Sequence, residues 1–480
     1  MPVEAKQLLA GAALGTAALV TLDYLVHKRS IPGPPEVPLL GNTLAVHQNY
    51  DDFVEWLVRM TDKYGPTWTF RIIGQPRFVV ITDPANVEHV LKTRFDNYPK
   101  GPGWQERFQE VLGAGIFNAD GEAWRVQRKT ASHMFSQGSF KTNMLHVFVK
   151  HGHKLQDMLL GAKSGEAIDI ANVFFRFTLD SIGEIAFGKD IGSLHQDIPF
   201  ANAFDGAQYS VQLRFLTLFW KMQKFTPRER KLAENIQTLN SFCTELIKER
   251  RAEGKNSGRS DLLSLFLESG DDVDDEFLRD VIINYTIAGR DTTAQALAWA
   301  VYMLNKHPEV ERKVIAEIDE VIGQNEVVFE HTKKLPYLHA VFSEVVRLWP
   351  SVPKDSKYAL ADDVLPDGTQ IKAGDWVLYV PYVMGRRTEL WGPDAREFKP
   401  ERWLAAGFKP SPFKFISFNA GPRTCLGQHM AFLEAKVALA MIYQKVRLRL
   451  VPGHPVIPEN SLTLPTRHGI KVTIEPRQAQ

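Results

Sequence analysis

The chain is expected to fold as a mainly α protein with small β-sheets, and two observations carry that expectation. From about Asp120 to Lys248 the apolar residues recur mostly at helical spacing, with few strand signals. The strand signals that do occur are short and sit beside turn residues, near Gly74 and near Asp367-Gly368. A third observation sets the domain count. No shift in composition divides the body, which therefore reads as one domain of about 440 residues, a size that a large central cofactor would account for.

Leu8 to Val26 is a 19-residue run whose only charge is Asp23, followed at once by His27, Lys28 and Arg29. That length and that basic flank predict an uncleaved membrane anchor over residues 1–30, with the body on the cytosolic side. An interfacial helix and a targeting peptide are the alternatives. Pro32, Pro34, Pro35 and Pro38 cannot continue a helix, so residues 31–46 are expected to form a stiff proline-rich hinge.

In the body, Trp68 to Ile73 and Arg77 to Ile81 are β-branched and aromatic runs around Gly74-Gln75-Pro76, and they predict a hairpin. Asp83-Pro84 supplies an N-cap and a first-turn proline for a helix towards Lys92. Glu253 to Ser260 is polar and glycine-containing and reads as an exposed loop. Asp271, Asp272, Asp274, Asp275 and Glu276 lack the spacing of a calcium loop and suit the start of a helix, where the dipole favours acids. That helix is expected to run from Asp275 past Val301, about thirty residues, long enough to cross a domain. Val364 to Thr369 flanks an Asp-Gly hairpin turn, and Trp376 to Val380 supplies another strand.

Composition excludes several classes. Lys+Arg 57 against Asp+Glu 56 leaves a formal charge of +1, so no global basic field marks a nucleic-acid binder. Two cysteines, Cys243 and Cys425, exclude a four-cysteine zinc site, an iron–sulfur cluster and a disulfide framework. His146, His151 and His153 lack zinc-protease spacing and read as a solvated helix face.

Four segments carry chemistry. Phe418-Asn419-Ala420-Gly421-Pro422-Arg423-Thr424-Cys425-Leu426-Gly427 sets a cysteine between glycines that allow a tight turn and close backbone approach to sulfur. Glu344 and Arg347 stand three apart in an apolar helix pattern, on one face. Ala288-Gly289-Arg290-Asp291-Thr292-Thr293 places poor helix formers in the middle of the long helix, a local rule broken where function is expected. Trp124 and Arg128 lie at i, i+4 spacing.

Together, in this order along the chain, these segments resemble the motifs of the cytochrome P-450 (haem-thiolate monooxygenase) family, and the resemblance covers essentially the whole chain. It implies the P-450 fold, with residues 47–480 as a haem-thiolate monooxygenase domain. It implies haem b held by Cys425 as axial iron ligand, with Phe418 beside it and Trp124, Arg128 and Arg423 on the cofactor's propionates. Thr292 would hydrogen-bond dioxygen and Asp291 would relay protons across a widened helix groove. Glu344 and Arg347 would meet an arginine from Phe398-Lys399-Pro400-Glu401-Arg402-Trp403 in a structural network. The family pattern implies electrons from NADPH through a separate flavoprotein reductase, docking on a face that includes Arg125 and Lys129, and residence in the endoplasmic reticulum membrane.

Three segments, Val352 to Lys357, Asp362 to Thr369 and Tyr382 to Arg387, look like the long-chain fatty-acid ω-hydroxylase branch. Val352 and Leu462-Thr463-Leu464 match substrate-contact regions of the family. Tyr209, Phe215, Leu218, Phe219 and Trp220 suit an access channel at a membrane surface, or plain helix packing. The same chemistry on a steroid, terpenoid or alkane is the rival reading, and a haem-thiolate isomerase, dehydratase or haem sensor is the rival class. Cys243 is expected to be packing.

Overall fold

The computed structural model describes residues 31–477 apart from 136–142, 164, 216, 218, 255–260 and 270–272. The expected anchor (1–30), Leu218, Asp271, Asp272 and most of the expected loop after Gly254 lie outside the described residues.

The architecture is mainly helical, as the apolar spacing requires. The helices used below are α1 (Phe53–Tyr64), α2 (Pro102–Leu112), α3 (Gly121–Ser132), α4 (Leu145–Leu160), α5 (Ile170–Phe187) and α6 (Pro199–Leu213). After them come α7 (Pro227–Ala252), α8 (Asp275–Thr286), α9 (Thr292–Lys306), α10 (Pro336–Leu348) and α11 (Gln428–Lys445). Phe148, Leu155, Phe174, Ile282, Leu297 and Tyr443, from α4, α5, α8, α9 and α11, are all buried in one core. The stretch Gly421–Lys445 is apolar and long enough to cross a membrane by length and composition, but 61% of its apolar window is buried inside the fold. Core packing accounts for that composition.

The strands are β1 (Thr67–Arg71), β2 (Arg77–Ile81), β3 (Ile168–Asp169), β4 (Asp355–Tyr358), β5 (Asp363–Val364), β6 (Gln370–Ile371), β7 (Trp376–Tyr379), β8 (Val446–Leu450) and β9 (Lys471–Pro476). The expected hairpin is β1–β2, with Phe70 opposite Phe78 and their rings stacked at 4.8 Å. β2 pairs in parallel with β7, and β4 pairs antiparallel with β7. The sheet order β1-β2-β7-β4 therefore joins residues 300 positions apart, which short-range patterns do not reveal. A cluster of Trp56, Trp68, Phe70 and Trp376 seals this sheet against α1.

The proline segment is docked along the sheet. Thr69 N donates to Pro32 O at 2.8 Å, and Asn42 Nδ2 donates to the carbonyls of Pro34 and Pro35 at 3.2 and 2.8 Å. Ile31 is buried beneath β2 and β7. Where prolines remove N–H groups the segment is held through carbonyls, with the Val37 N–H to Gly41 O and the Glu36–Arg71 ion pair adding to them.

Asp83 caps its helix by accepting from Ala85 N, with Pro84 at the first position, as expected. Asp274 caps α8 in the same way, accepting from Phe277 N, so the acidic cluster does start a helix. The long helix runs as α8, one π-helical stretch at Ile287–Asp291, and α9. The π turn widens the backbone where the sequence breaks the helix rule. Cys243 is wholly buried in the main core, as expected.

One expectation fails. His146 and His153 are exposed, but His151 is fully buried, with Nε2 2.8 Å from Glu184 Oε2. α4 packs one face on α5 and α11, and His151 falls on that face beside Leu155. A histidine pattern of i, i+5, i+7 wraps round a helix, so one member must point inwards.

Candidate active site

The cysteine loop is held by its own backbone. Cys425 N donates to Phe418 O at 2.8 Å and Thr424 N donates to Gly421 O at 3.0 Å. Gly421 has φ +68°, and a Cβ there would sit 2.2 Å from Leu91 O, so only glycine fits. Gly427 has an ordinary φ of −85°. A Cβ there would lie 3.9 Å from Cys425 Sγ, an ordinary contact, so neither backbone conformation nor space in this structure demands glycine at that position.

Cys425 has accessible surface, yet protein crowds it closely enough that burial pushes its thiol pKa up. The backbone N–H groups of Gly427 and Gln428 and the charge of Arg128 oppose that upward push, so the loop is built to receive a thiolate. Phe418 packs on Phe432 at 5.5 Å and Phe415 at 6.4 Å, forming an aromatic wall next to the loop.

Four basic side chains converge on the same region. Arg128 donates to Thr424 O at 2.8 Å, which ties α3 to the cysteine loop. Arg423 lies over the Trp124 ring at 4.5 Å and Arg128 over it at 5.9 Å, so the i, i+4 pair does share a side. Arg423 also pairs with Asp120 Oδ1 at 2.8 Å, a carboxylate that sequence reasoning did not assign to it. Lys100 pairs with Asp355 at 2.8 Å, and Tyr379 donates to the other oxygen of Asp355 at 2.6 Å.

Lys357 is the residue that sequence reasoning missed. It is only 1% exposed on β4, and its Nζ has no hydrogen-bond partner among the described residues. Burial, together with Lys100 and Arg423, pushes its pKa well down. Arg423 Nε is likewise buried without a partner. Buried cationic donors left unpaired cost several kcal/mol unless an anion meets them. A group with two carboxylates and a metal that takes a thiolate fits this donor set, and haem is such a group. The alternation of β4 could have hinted at Lys357, but only the pairing with β7 carries it inside.

On the long helix, Arg290 and Asp291 are both about 2% exposed. Asp291 accepts from Arg290 Nη1 at 2.8 Å and from Gln208 Nε2 of α6 at 2.7 Å. Burial pushes its pKa up to about 6, with the Asp205 charge adding and Arg290 and Gln208 opposing. Thr292 Oγ1 donates to Ala288 O at 2.6 Å across the π turn. Its lone pairs are thereby left to accept a proton-bearing partner. Gly289 permits the helix to touch α5, since a Cβ would meet Ile182 at 2.5 Å.

A second buried carboxyl, Glu434 on α11, has no hydrogen-bond partner at either oxygen among the described residues, and burial pushes its pKa well above the carboxylate range. Since it is neutral when buried, Glu434→Gln is expected to keep unfolding free energy within about 1 kcal/mol of the parent in urea titration.

Glu344, Arg347 and Arg402 form the expected buried network. Arg347 meets both Glu344 oxygens at 2.7 Å, and Arg402 Nε donates to Oε1 at 2.9 Å. Among the substrate-contact candidates, Thr463 and Leu464 are pinned to α9: Gln295 Nε2 donates to Thr463 Oγ1 at 2.7 Å and Trp299 Nε1 to Leu464 O at 2.9 Å. Leu462 and Val352 stay partly accessible. The aromatic stretch divides. Phe215 packs on Trp104 and Phe108, whereas Tyr209 and Phe219 are exposed and Trp220 is half-buried.

A mainly helical body with a cysteine loop, a basic cluster beside it and a bulged helix bearing Asp291 and Thr292 defines the class of haem-thiolate proteins. Residues 31–474 match the family model described as Cytochrome P450, and the chain belongs to that family. It is similar to Cytochrome P450 704B1 of Arabidopsis thaliana, 39% identical, with 96% of this chain and 98% of that protein covered. Cytochrome P450 86B1 of the same plant is also 39% identical, over 94% of this chain and 87% of its own length. Cytochrome P450 monooxygenase cyp1 of Mycosarcoma maydis is 36% identical, over 92% and 75%. The protein is a cytochrome P450 monooxygenase with haem as its cofactor.

Proposed function

We propose that this monooxygenase hydroxylates the terminal carbon of a long-chain fatty acid or alkyl chain. The observation that carries the oxygen-inserting reading is the intact pair Asp291 and Thr292 at a π turn, which a haem-thiolate isomerase, dehydratase or sensor does not need. The substrate class rests on the likeness of Val352–Lys357, Asp362–Thr369 and Tyr382–Arg387 to the ω-hydroxylase branch. Incubation with NADPH, a flavoprotein reductase and a panel of fatty acids should yield terminal alcohols, identified by mass spectrometry. Turnover of a steroid, terpenoid or alkane with no fatty-acid product would replace this substrate, and NADPH-independent product formation would replace the class.

In this reading the Cys425 thiolate would hold the haem iron, Phe418 would wall the cofactor, and Trp124, Arg128, Arg423 and Lys357 would bind its propionates. When bound, the haem supplies the activation of dioxygen and the transfer of one oxygen atom to carbon. Arg423 and Lys357 gain the anions that their unpaired nitrogens lack. Gly427 and Gln428 hold the sulfur charge with their N–H groups. Asp291, ionised above about pH 6, takes up a proton from the solvent side and passes it towards Thr292. Thr292→Ala and Asp291→Ala should therefore each lower product formed per NADPH by about tenfold, with Thr292→Ala releasing the difference as hydrogen peroxide. Normal coupling in both variants would overturn these roles.

Electrons arrive from a separate NADPH-dependent flavoprotein reductase. Arg125 and Lys129 are exposed on α3, the helix that Arg128 ties to the cysteine loop. The ion pairs of Arg125 with Asp96 and Glu122 are 3.3 and 3.6 Å long and solvent-exposed, so they offer little competition to a docking partner. Charge reversal at both positions is expected to slow reduction about tenfold at low salt in stopped-flow measurement, with the difference shrinking at high salt. Equal rates at all salt concentrations would remove this face from the docking site.

The chain is assigned to the endoplasmic reticulum membrane, with residues 1–30 as its anchor. Exposed Phe219, Met222 and Phe225 support this placement, because such a cluster of large apolar side chains suits a lipid surface.

A further inference from the structure

The surroundings of Asp291 are built by a helix that bears none of the residues so far given a catalytic role. Arg290 donates to Asp205 at 2.6 Å through Nη1 and at 3.1 Å through Nη2, while Nη1 also serves Asp291. Asp205 lies on α6 with its side chain 55% exposed, whereas the Asp291 side chain is 3% exposed. Two carboxylates, one wet and one dry, thus share a single guanidinium. Gln208, three residues further along the same helix, donates to the other oxygen of Asp291.

Among the described residues, no further charged group is hydrogen-bonded or ion-paired to Arg290 or Asp291 from the other packed elements. α5 contributes the Phe175 ring over Arg290 at 4.7 Å and the Thr178 hydroxyl, which donates to Arg290 O at 2.9 Å. α6 adds the Phe204 ring at 5.6 Å. On α11, the buried carboxyl of Glu434 makes no hydrogen bond to Asp291.

The two α6 side chains push in opposite directions. Asp205 repels negative charge on Asp291 and competes for Arg290, which favours the protonated acid. Gln208 donates a hydrogen bond that is strongest to the ionised acid, which favours the carboxylate. We propose that Asp205 and Gln208 are positioning residues that together set the proton affinity of Asp291 from α6, linking a solvent-exposed carboxylate to the π turn. A displacement of α6 would then change proton supply without touching Thr292.

This inference rests on the proton-handling role of Asp291 proposed above, and its test separates the two. Difference infrared titration of the resting, substrate-bound holoenzyme reads the protonated carboxyl band, assigned by its loss in Asp291→Asn. Asp205→Asn should move the midpoint down by about one pH unit, and Gln208→Met should move it up by about half a unit. Asp205→Glu, which keeps the charge, should restore the parent midpoint. Asp205 is exposed, so its variants test the idea even if Gln208→Met folds poorly. Unmoved midpoints, or a shift of both substitutions in one direction as a packing disturbance would produce, overturn the proposal. Midpoints that move as stated while product per NADPH ignores pH would uphold this control and remove the proton relay.

Discussion

Cys425→Ser is expected to lower monooxygenase turnover by about 10³-fold or more, because oxygen cleavage depends on electron density from a thiolate. The reduced, carbon monoxide-bound absorption spectrum checks this independently of turnover. The parent should show the thiolate-type Soret shift, and the serine variant should lack it while still holding haem through the basic cluster. The fold should survive, since the loop is closed by the backbone bond from Cys425 N to Phe418 O, which serine retains. A thiolate-type spectrum in the serine variant, or its absence in folded and haem-loaded parent, would remove Cys425 from the iron. Ser, Thr and Tyr cannot supply the soft anion, and Cys243 lies wholly buried in the main core and has its own pKa pushed up to about 12.

Glu344→Ala is expected to be the most destabilising single change outside that loop. Glu344 accepts five hydrogen bonds: two from Arg347, and one each from Arg402 Nε, Lys399 N and Trp403 Nε1. The Glu344 and Arg347 side chains are fully buried. Removing the carboxylate strands two buried guanidinium groups, a loss of about 3–5 kcal/mol where the whole domain is held by about 5–15 kcal/mol. Urea unfolding should show that loss, and purified protein should carry little haem. The reason is geometric. Arg347 also binds the carbonyls of Gly385, Ala395 and Glu397, so this network pins α10 to the long segment that precedes the cysteine loop. An unfolding midpoint close to the parent's would show that the network is dispensable.

Much of the site was legible because its chemistry is local. The cysteine loop, the Glu344–Arg347 spacing and the broken helix rule at Ala288–Thr293 are each written within ten residues. Each has a mechanism that short-range geometry enforces: a left-handed turn at Gly421, one face of α10, and a π turn at Ile287–Asp291. The acidic helix start and both hairpins were legible for the same reason.

What escaped was long-range. Lys357 entered the sequence reading only as the end of the Val352–Lys357 segment, and becomes a buried amine without a hydrogen-bond partner among the described residues only because β4 pairs with β7, itself paired with β2. His151 looked solvated until α4 turned it towards α5. Arg423 carried a motif, but its ion pair with Asp120 depends on an element 300 residues earlier. The aromatic stretch after Tyr209 could be channel or core, and packing decided that Phe215 lies partly buried against the core while Phe219 is exposed.

The sequence by itself determined the class of fold, the tight turn that carries Cys425, and the break in the long helix at Asp291, because each depends on spacing along one element. Only the tertiary structure decided which charges are buried, which are paired, and that α6 reaches over to Asp291. Burial and pairing depend on surfaces contributed from distant parts of the chain, and the pKa shifts of Asp291 and Lys357 come into being only where those surfaces meet.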